Sequence, residues 1–344
     1  MSNVNHTLFP VAGSSTEIRP ASQAQPTVWV VLLNFRSAEA TLQCLASLNA
    51  QQYANWRAIV VENGSGDDSL ERLQPVVQAN DRLTLYASSE NLGFSGGCNL
   101  ALERALAEGA DYVWLLNNDA WVQPDTLSQL VTMAEGRRQQ GSVGVLGSLV
   151  LHPDGALQMV GRVHNPWLGK ARRVRLPAVP NASGYWPVPC LSGASMLIPR
   201  HILETVGGLY EPFFLYYEDD EFCHRVRQAG FETGVCLNAS VYHGLSKSAP
   251  NQALPAYYMQ RNRLYFVEMT AGTLPLWSCL LLAVLNLGVL ALKVPAAMLL
   301  KPSRVAACRE RFWARFWGVV DYLQGQLGPC RHSWLTKPRS DVLV

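Results

Sequence analysis

Four consecutive carboxylates, Glu218, Asp219, Asp220 and Glu221, follow the aromatic run Phe213-Phe-Leu-Tyr-Tyr217 and precede Arg225. Like charges side by side repel. Acids that face a common site therefore need a metal, another cation or a shared proton, and one of them can be tuned as a general base. The same residues also read as the first turn of a helix, where the dipole favours negative charge. Phe222, Val226 and Ala229 continue at helical spacing and Gly230 stops the pattern. Taken alone, the run leaves both readings open.

Other chemically capable residues stand directly behind short apolar runs. Asn117-Asn118-Asp119 follows Tyr112-Val-Trp-Leu-Leu116 and offers the oxygen ligands that a hard cation such as Mg²⁺ takes. A turn or a helix cap before Pro124 explains the same residues. In Glu62-Asn63-Gly64-Ser65, an acid at a strand end can accept from a nucleobase or a ribose hydroxyl, and Asn-Gly equally marks a turn. Asn91-Leu-Gly93-Phe94-Ser-Gly-Gly97-Cys-Asn99 is glycine-rich and opens a helix, so its amides can approach a phosphate. It matches neither the P-loop nor the G-x-G-x-x-G spacing, which argues against an ATPase or a nicotinamide enzyme.

The elements that position these groups alternate. Apolar, β-branched runs at 28–35, 58–61, 83–86 and 112–116 are each followed by helical periodicity, at 38–48, 68–77, 97–107 and 124–133. Such alternation predicts an α/β fold, Rossmann-like, with a mostly parallel sheet, and ligands bind such sheets beyond the carboxyl ends of the strands. Residues just after strands, Asn34 among them, are thus the first candidates for a site. From 143 to 198 the pattern loosens into short strands and turns, read as an added sheet region. Beyond Tyr257 the chain turns to long Leu-, Trp- and Arg-rich helices.

Composition bounds the rest. The 344 residues, 49% hydrophobic, suffice for one large α/β domain with additions. A net charge of +2 gives no field that would gather nucleic acid. Eight scattered cysteines form no C-x-x-C pair and no zinc spacing, which fits free thiols in a reducing compartment. Residues 1–26 are polar and lack the basic start and apolar centre of a secretion signal, so they read as a mobile tail on a protein that is not secreted.

In this order, the motifs Val30-Val-Leu-Leu-Asn34, Val61-Glu-Asn-Gly-Ser65, Asn91 to Asn99, Leu115-Leu-Asn-Asn-Asp119, Ser192-Gly193-Ala194-Ser-Met196, Gly207-Gly-Leu-Tyr-Glu-Pro-Phe-Phe214 and Tyr217-Glu-Asp-Asp-Glu-Phe-Cys-His-Arg225 resemble the inverting family 2 glycosyltransferases. The likeness is greatest to their bacterial rhamnosyltransferase-like branch and spans about residues 28–266. The resemblance implies a GT-A fold, a dTDP- or UDP-linked sugar donor, a saccharide or lipid-linked acceptor, and Mg²⁺ or Mn²⁺. Carried over, it makes Asp119 the last residue of the metal-binding D-x-D equivalent, with Asn117 at its first position. His243 resembles the downstream histidine that faces the metal or the phosphates. Glu62 stands where the family usually has an Asp that contacts the nucleobase, and Asn34, Asn63, Ser65, Gly93, Phe94, Gly97, Asn99 and Asn118 join it on the nucleotide-sugar side. Asp219 matches the catalytic base, with Asp220 as the alternative and Glu218 beside it. Gly193, Ala194, Glu221 and Arg225 fall on the acceptor side. A sugar nucleotidyltransferase is the enzyme alternative, disfavoured because its glycine- and lysine-bearing loop is absent after Asn34, and a non-catalytic nucleotide-sugar-binding or scaffold protein is the alternative from another class.

Three basic or apolar features remain. Lys170-Ala-Arg-Arg-Val-Arg175 is an edge strand or a contact for an acceptor phosphate or a membrane. Arg261-Asn262-Arg263 also matches the family pattern, with no role assigned to it. Residues 274–292 are uncharged and Leu-rich, close to the roughly 20 residues that span a bilayer. A single crossing would put Lys293, Lys301, Arg304, Arg309, Arg311 and Arg315 opposite the catalytic part, against the positive-inside rule. The expected organisation is a tail at 1–26, a catalytic domain at 27–266, and a helical module at 267–344. That module either lies in or re-enters the cytoplasmic face of the bacterial inner membrane, its Phe312, Trp313, Phe316 and Trp317 at headgroup level, or buries the same residues in a homodimer.

Overall fold

The computed structural model describes residues 25–141, 144–176, 183–244, 253–300 and 305–336, and the side chains of all these except 293–300. All but the last two residues of the tail expected at 1–26 lie outside the described residues. The chain runs β1 (Val28–Asn34), α1 (Ala38–Asn49), β2 (Trp56–Asn63), α2 (Ser69–Gln78), β3 (Leu83–Ser88), α3 (Gly93–Ala107), β4 (Tyr112–Leu116), β5 (Ala120–Val122), α4 (Thr126–Gln139) and β6 (Gly144–Leu151). Short strands β7 (Leu157–Met159), β8 (Arg162–Asn165), β9 (Lys170–Arg173), β10 (Tyr185–Pro187) and β11 (Ser195–Pro199) follow. Then come α5 (Arg200–Val206), α6 (Glu218–Gln228), β12 (Glu232–His243), α7 (Ala253–Ala271), α8 (Thr273–Leu300), α9 (Val305–Leu323) and α10 (Ser333–Thr336).

The sheet order is β10-β12-β6-β11-β4-β1-β2-β3. Strands β1 to β4 are parallel, as the alternation predicts, and β11 enters antiparallel between β4 and β6. The fold is thus the expected α/β arrangement, with the parallel half carrying the strand ends. Alternate residues of one strand feed opposite layers: Val28, Val30 and Leu32 pack with Cys44, Leu45 and Leu48 of α1. Trp29 and Val31 pack with Cys98, Ala101 and Leu102 of α3 on the other face. Helix α3 starts at Gly93, four residues before the apolar periodicity begins, because the Phe94 amide donates to the Phe214 carbonyl at 2.7 Å.

After β12, α7 passes through the boundary drawn at 266/267 and continues to Ala271. Its Arg261 and Asn262 are fully buried. Asn262 Nδ2 donates at 2.9 Å to the carbonyls of Phe213, Leu215 and Tyr216, and Arg261 donates to Phe213 and Gly328 carbonyls at 3.2 and 2.8 Å. The loop so clamped holds Phe214, Tyr216 and Tyr217 at φ of 66°, 68° and 75°. Bulky L-residues seldom adopt that left-handed conformation, at a cost of about 1–3 kcal/mol each. Helix α9 crosses α7 at Gly318, where a Cβ would come 2.8 Å from the Tyr257 carbonyl oxygen.

The clamp makes a stability prediction. Asn262→Ala leaves buried carbonyls without their donor and releases the strained loop, and should cost about 2 kcal/mol or more, read as a lower urea midpoint. A midpoint within error of wild type would show that the loop conformation is set elsewhere.

Candidate active site

A cavity of about 420 Å³ opens beyond the carboxyl ends of β1 and β4, a second of about 430 Å³ lies over the start of α6, and Tyr216 lines both. The first is walled by Phe35, Asn63, Gly93, Phe94, Asn117, Asn118, Asp119, Phe214, His243 and Tyr258. The second holds Glu218, Asp219 and Asp220 with Arg162, His164, Lys170, Gln260, Arg263 and Arg315.

In the first cavity, strand register brings the chemistry together. β12 pairs with β5 so that His243 lies opposite Ala120, which sets its ring against Asp119. His243 Nε2 is 3.0 Å from Asp119 Oδ1 and 3.0 Å from Asn117 Nδ2, and Nδ1 is 3.2 Å from Gln158 Oε1. Gln158 Oε1 can only accept, so Nδ1 donates to it and the ring is held with Nε2 toward Asp119 and Asn117. Asp119 Oδ2 and Asn117 Oδ1 are buried with no partner. Two orphaned oxygens and an imidazole nitrogen form a donor set that a divalent cation fits.

Several residues expected on this side are spent on structure. Asn34 accepts from Thr41 at 2.8 Å, and its amide reaches Ser65 at 3.4 Å. Glu62 accepts from the Ser65 amide at 2.9 Å. Gly97 lets α3 approach β1, since a Cβ there would come 2.4 Å from Leu33 Cδ1. Asn99 bridges Leu209 and Glu211 at 2.8–2.9 Å. None of Asn34, Glu62, Ser65, Gly97 and Asn99 lines the cavity. The Phe94 amide, expected to face a phosphate, is taken by Phe214; Asn63 stays in the wall and ties Asn91 to Gly93.

The acidic run is indeed the first turn of α6, and it faces the second cavity. Arg162, on a hairpin strand that sequence reasoning passed over, bonds Asp219 Oδ2 at 2.6 Å and Asp220 Oδ1 at 2.9 Å. The Gly193 amide donates to Asp219 at 2.9 Å. His164 Nε2 lies 3.0 Å from Asp220 Oδ2. Burial pushes the Asp220 carboxyl up, but Arg162 and His164 outweigh it and hold the group below its ordinary range. Burial likewise disfavours the Arg162 charge, and Asp219 and Asp220 more than restore it.

Glu218 has the opposite environment. Its Oε2 is buried without a partner; burial first, and then the Asp219 charge, raise its carboxyl to about 8. Glu218 lines the second cavity, and Cys98, whose thiol is pushed up by burial, lies in the wall of the first. Glu221 points elsewhere: it pairs with Arg225 at 2.6 Å, and Arg225 binds the Val206 and Gly208 carbonyls. That pair staples α6 to the end of α5, and neither residue lines either cavity. Ala194 is buried and uses its carbonyl on the Asn117 amide at 3.1 Å.

The chain has recognisable kin. Residues 29–207 match the family model described as Glycosyl transferase family 2. The uncharacterized protein y4gI of Sinorhizobium fredii is 29% identical over 218 residues, which cover 60% of this chain but only 23% of that protein. An N-acetylglucosaminyl-diphospho-decaprenol L-rhamnosyltransferase of Mycobacterium tuberculosis is 27% identical over 241 residues, 62% of this chain and 75% of that one. The mannosyltransferase PcManGT of Pyrobaculum calidifontis, solved with GDP-Man and Mn²⁺, superposes with a TM-score of 0.52 at 16% identity, over 88% and 89% of the two chains. It shares the fold.

The Glu218 environment makes a pH prediction. A carboxyl raised from 4.5 to about 8 favours folding in its neutral form. That stabilisation is complete below the ordinary range and is lost as pH rises through about 8. Glu218→Gln should match wild type at pH 5 and be the more stable protein at pH 9, by at most about 5 kcal/mol. Thermal unfolding at both pH values checks this, and a difference that does not change with pH would mean that Glu218 is not held neutral.

Proposed function

The chain belongs to glycosyl transferase family 2, and from that premise we propose that it moves a hexosyl unit, a deoxysugar such as L-rhamnose, from a dTDP- or UDP-linked donor to a saccharide or lipid-linked acceptor, with inversion. The observation that carries the reading is the pair of cavities meeting at Tyr216, one ending in orphaned oxygens and the other in a paired and an unpaired acid.

On this reading the donor nucleotide occupies the first cavity. Asp119, Asn117 and His243 would hold Mg²⁺ or Mn²⁺, with Gln158 orienting the imidazole. A divalent cation there supplies positive charge against the leaving diphosphate. The acceptor enters the second cavity. Asp219 takes the proton of its hydroxyl as that oxygen bonds to the anomeric carbon and the bond to the diphosphate breaks on the opposite face. Arg162 and the Gly193 amide address Asp219 as a carboxylate and fix its aim. Asp220 is a poorer base because Arg162 and His164 both stabilise its ionised form. Glu218, protonated near neutral pH, can donate a hydrogen bond between the two substrates. Pushing neighbouring carboxyls apart in this way separates acid from base.

Purified full-length protein, offered a panel of nucleotide sugars with Mg²⁺ or Mn²⁺, tests the proposal. Asp219→Asn should lower transfer by about 10²–10⁴-fold and leave donor binding intact. Asp119→Ala should abolish nucleotide-dependent Mn²⁺ binding, followed by electron paramagnetic resonance. Full transfer in Asp219→Asn moves the base to another acid; a protein that binds no nucleotide sugar loses the whole reading.

The same proposal includes a membrane surface on the cytoplasmic side. Thr273–Leu292 of α8 is long and apolar enough to cross a bilayer by length and composition, and it exposes Leu274, Trp277, Leu281 and Leu292. Yet α9 lies back on α7, where Tyr257 bonds Asp321 and Tyr322 bonds Glu268. Both flanks of α8 therefore stay with the catalytic part, which favours an in-plane or re-entrant hairpin over a single span. Detergent-free fractionation in high salt should leave the protein with membranes, and a freely soluble protein would rule the surface out.

A further inference from the structure

Three cations that the reaction does not use come from distant parts of the sequence to one place. Lys170 of β9, Arg263 of α7 and Arg315 of α9 line the second cavity, above Glu218 and Asp219. Of the acids that line it, Asp219 and Asp220 already share Arg162. Arg263 Nη2 donates to Gln260 Oε1 at 3.1 Å. That contact uses the Gln260 amide oxygen, and Gln260 Nε2 and Arg263 Nε are both buried with no acceptor. Gln260 is only 8% exposed, so water does not easily replace the missing partner, and each such donor carries a desolvation cost. Arg315 shows the same imbalance: burial, then the charges of Arg263 and Arg311, push its guanidinium below its ordinary value. Crowded cations and N–H donors without acceptors along one cavity suit an anionic ligand, and guanidinium forks match phosphoryl oxygens.

The hairpin loop between β8 and β9 ties this cavity to an apolar face. A Cβ on Gly169 would come 2.9 Å from Cys279 Sγ and 3.1 Å from Arg263 Cδ, so the loop sits directly on both. Ser278 donates to the Trp167 carbonyl at 2.8 Å, and Trp167 and Leu168 stay exposed beside α8, which exposes Leu274, Trp277 and Leu281. A cationic pocket thus opens next to an unpartnered apolar surface, with the proposed base at its floor.

We propose that Arg263, Arg315, Lys170 and Gln260 form a subsite for the diphosphate of a lipid-linked acceptor, whose hydrocarbon chain runs along the α8 and hairpin face while its sugar hydroxyl meets Asp219. The proposal rests on the glycosyltransferase reading and narrows its acceptor to an anionic lipid-linked saccharide. It also assigns Lys170 and Arg263, two residues whose sequence context left their role open.

Binding separates this inference from the reading beneath it. Full-length protein with EDTA, so that no metal can hold a phosphate, is titrated by calorimetry with farnesyl diphosphate, farnesol and inorganic pyrophosphate in neutral detergent, and with phosphatidylglycerol vesicles after the detergent is removed. Farnesyl diphosphate should bind more tightly than farnesol or pyrophosphate. Arg263→Gln and Arg315→Gln should each weaken it by about tenfold to a hundredfold, while UDP binding with Mn²⁺ added back reports the donor side independently. Equal affinity of wild type and both variants for farnesyl diphosphate overturns the subsite. So does equal affinity for pyrophosphate and farnesyl diphosphate, which would make it a free-phosphate site. Vesicles that compete fully with farnesyl diphosphate through the same arginines would make it a bilayer headgroup site and overturn the acceptor assignment. Loss of UDP binding in every protein, with farnesyl diphosphate binding retained, would instead remove the glycosyltransferase reading.

Discussion

The side-chain amide of Asn262 holds the site in shape. It shares two protons among three carbonyls of the loop before α6, and that loop carries three aromatic residues in a left-handed conformation. Nothing local favours such a conformation, so the stabilising contacts must come from outside the loop. They come from Asn262, from Arg261 and from the Phe94 amide. The consequences spread in both directions along the chain. Phe214 stacks on Tyr258 as a wall of the first cavity, Tyr216 divides the two spaces, and Tyr217 starts α6 so that its first turn aims inward. Helix α7, which reads from composition as the start of a separate module, is therefore part of the catalytic frame.

Four adjacent buried acids would be untenable with one shared environment, and the fold gives each its own. Glu221 has Arg225, one turn along the same helix. Asp220 has Arg162 and His164, and Asp219 has Arg162 and the Gly193 amide. Glu218 has no cation and takes up a proton instead. The single guanidinium of Arg162 serves both Asp219 and Asp220 and, with His164, holds the Asp220 carboxyl below its ordinary range. The loop that follows its strand rests on Cys279 and Arg263, so the placement of Arg162 depends on packing against the C-terminal helices.

The parallel half of the fold was legible because its strands are buried on both faces and its helices carry apolar periodicity. The strand-end rule then pointed to Asn63, Asn117, Asn118 and Asp119, all of which line the cavity. What spacing does not contain is rotation about an element and long-range pairing. Glu221 and Asp219 stand two residues apart in one helix, and one serves a structural staple while the other faces the cavity. Asn99 looks like part of a glycine-rich ligand loop, yet it braces Leu209, 110 residues away. Arg162 and His164 sit on a four-residue strand with no periodic signal, and Arg162 lies 57 residues before Asp219. In Arg261-Asn262-Arg263 the pattern was visible, but its meaning lay in carbonyls of a loop that no sequence rule marks as strained.

The two cavities handle negative charge by different means, and the difference follows from the residues present. The first offers a carboxylate and neutral oxygens, which repel a diphosphate unless a cation lies between them. The second offers fixed guanidinium and ammonium groups, which need no such intermediary. On the proposed assignment, affinity for the leaving nucleotide depends on the metal, whereas affinity for the acceptor does not. Two anionic substrates can then share one site, since each is neutralised by its own partner and the wall at Tyr216 keeps the charges apart. On the same assignment, a nucleotide that departed with its metal would leave the lipid-borne product held by the arginines on the other side of Tyr216.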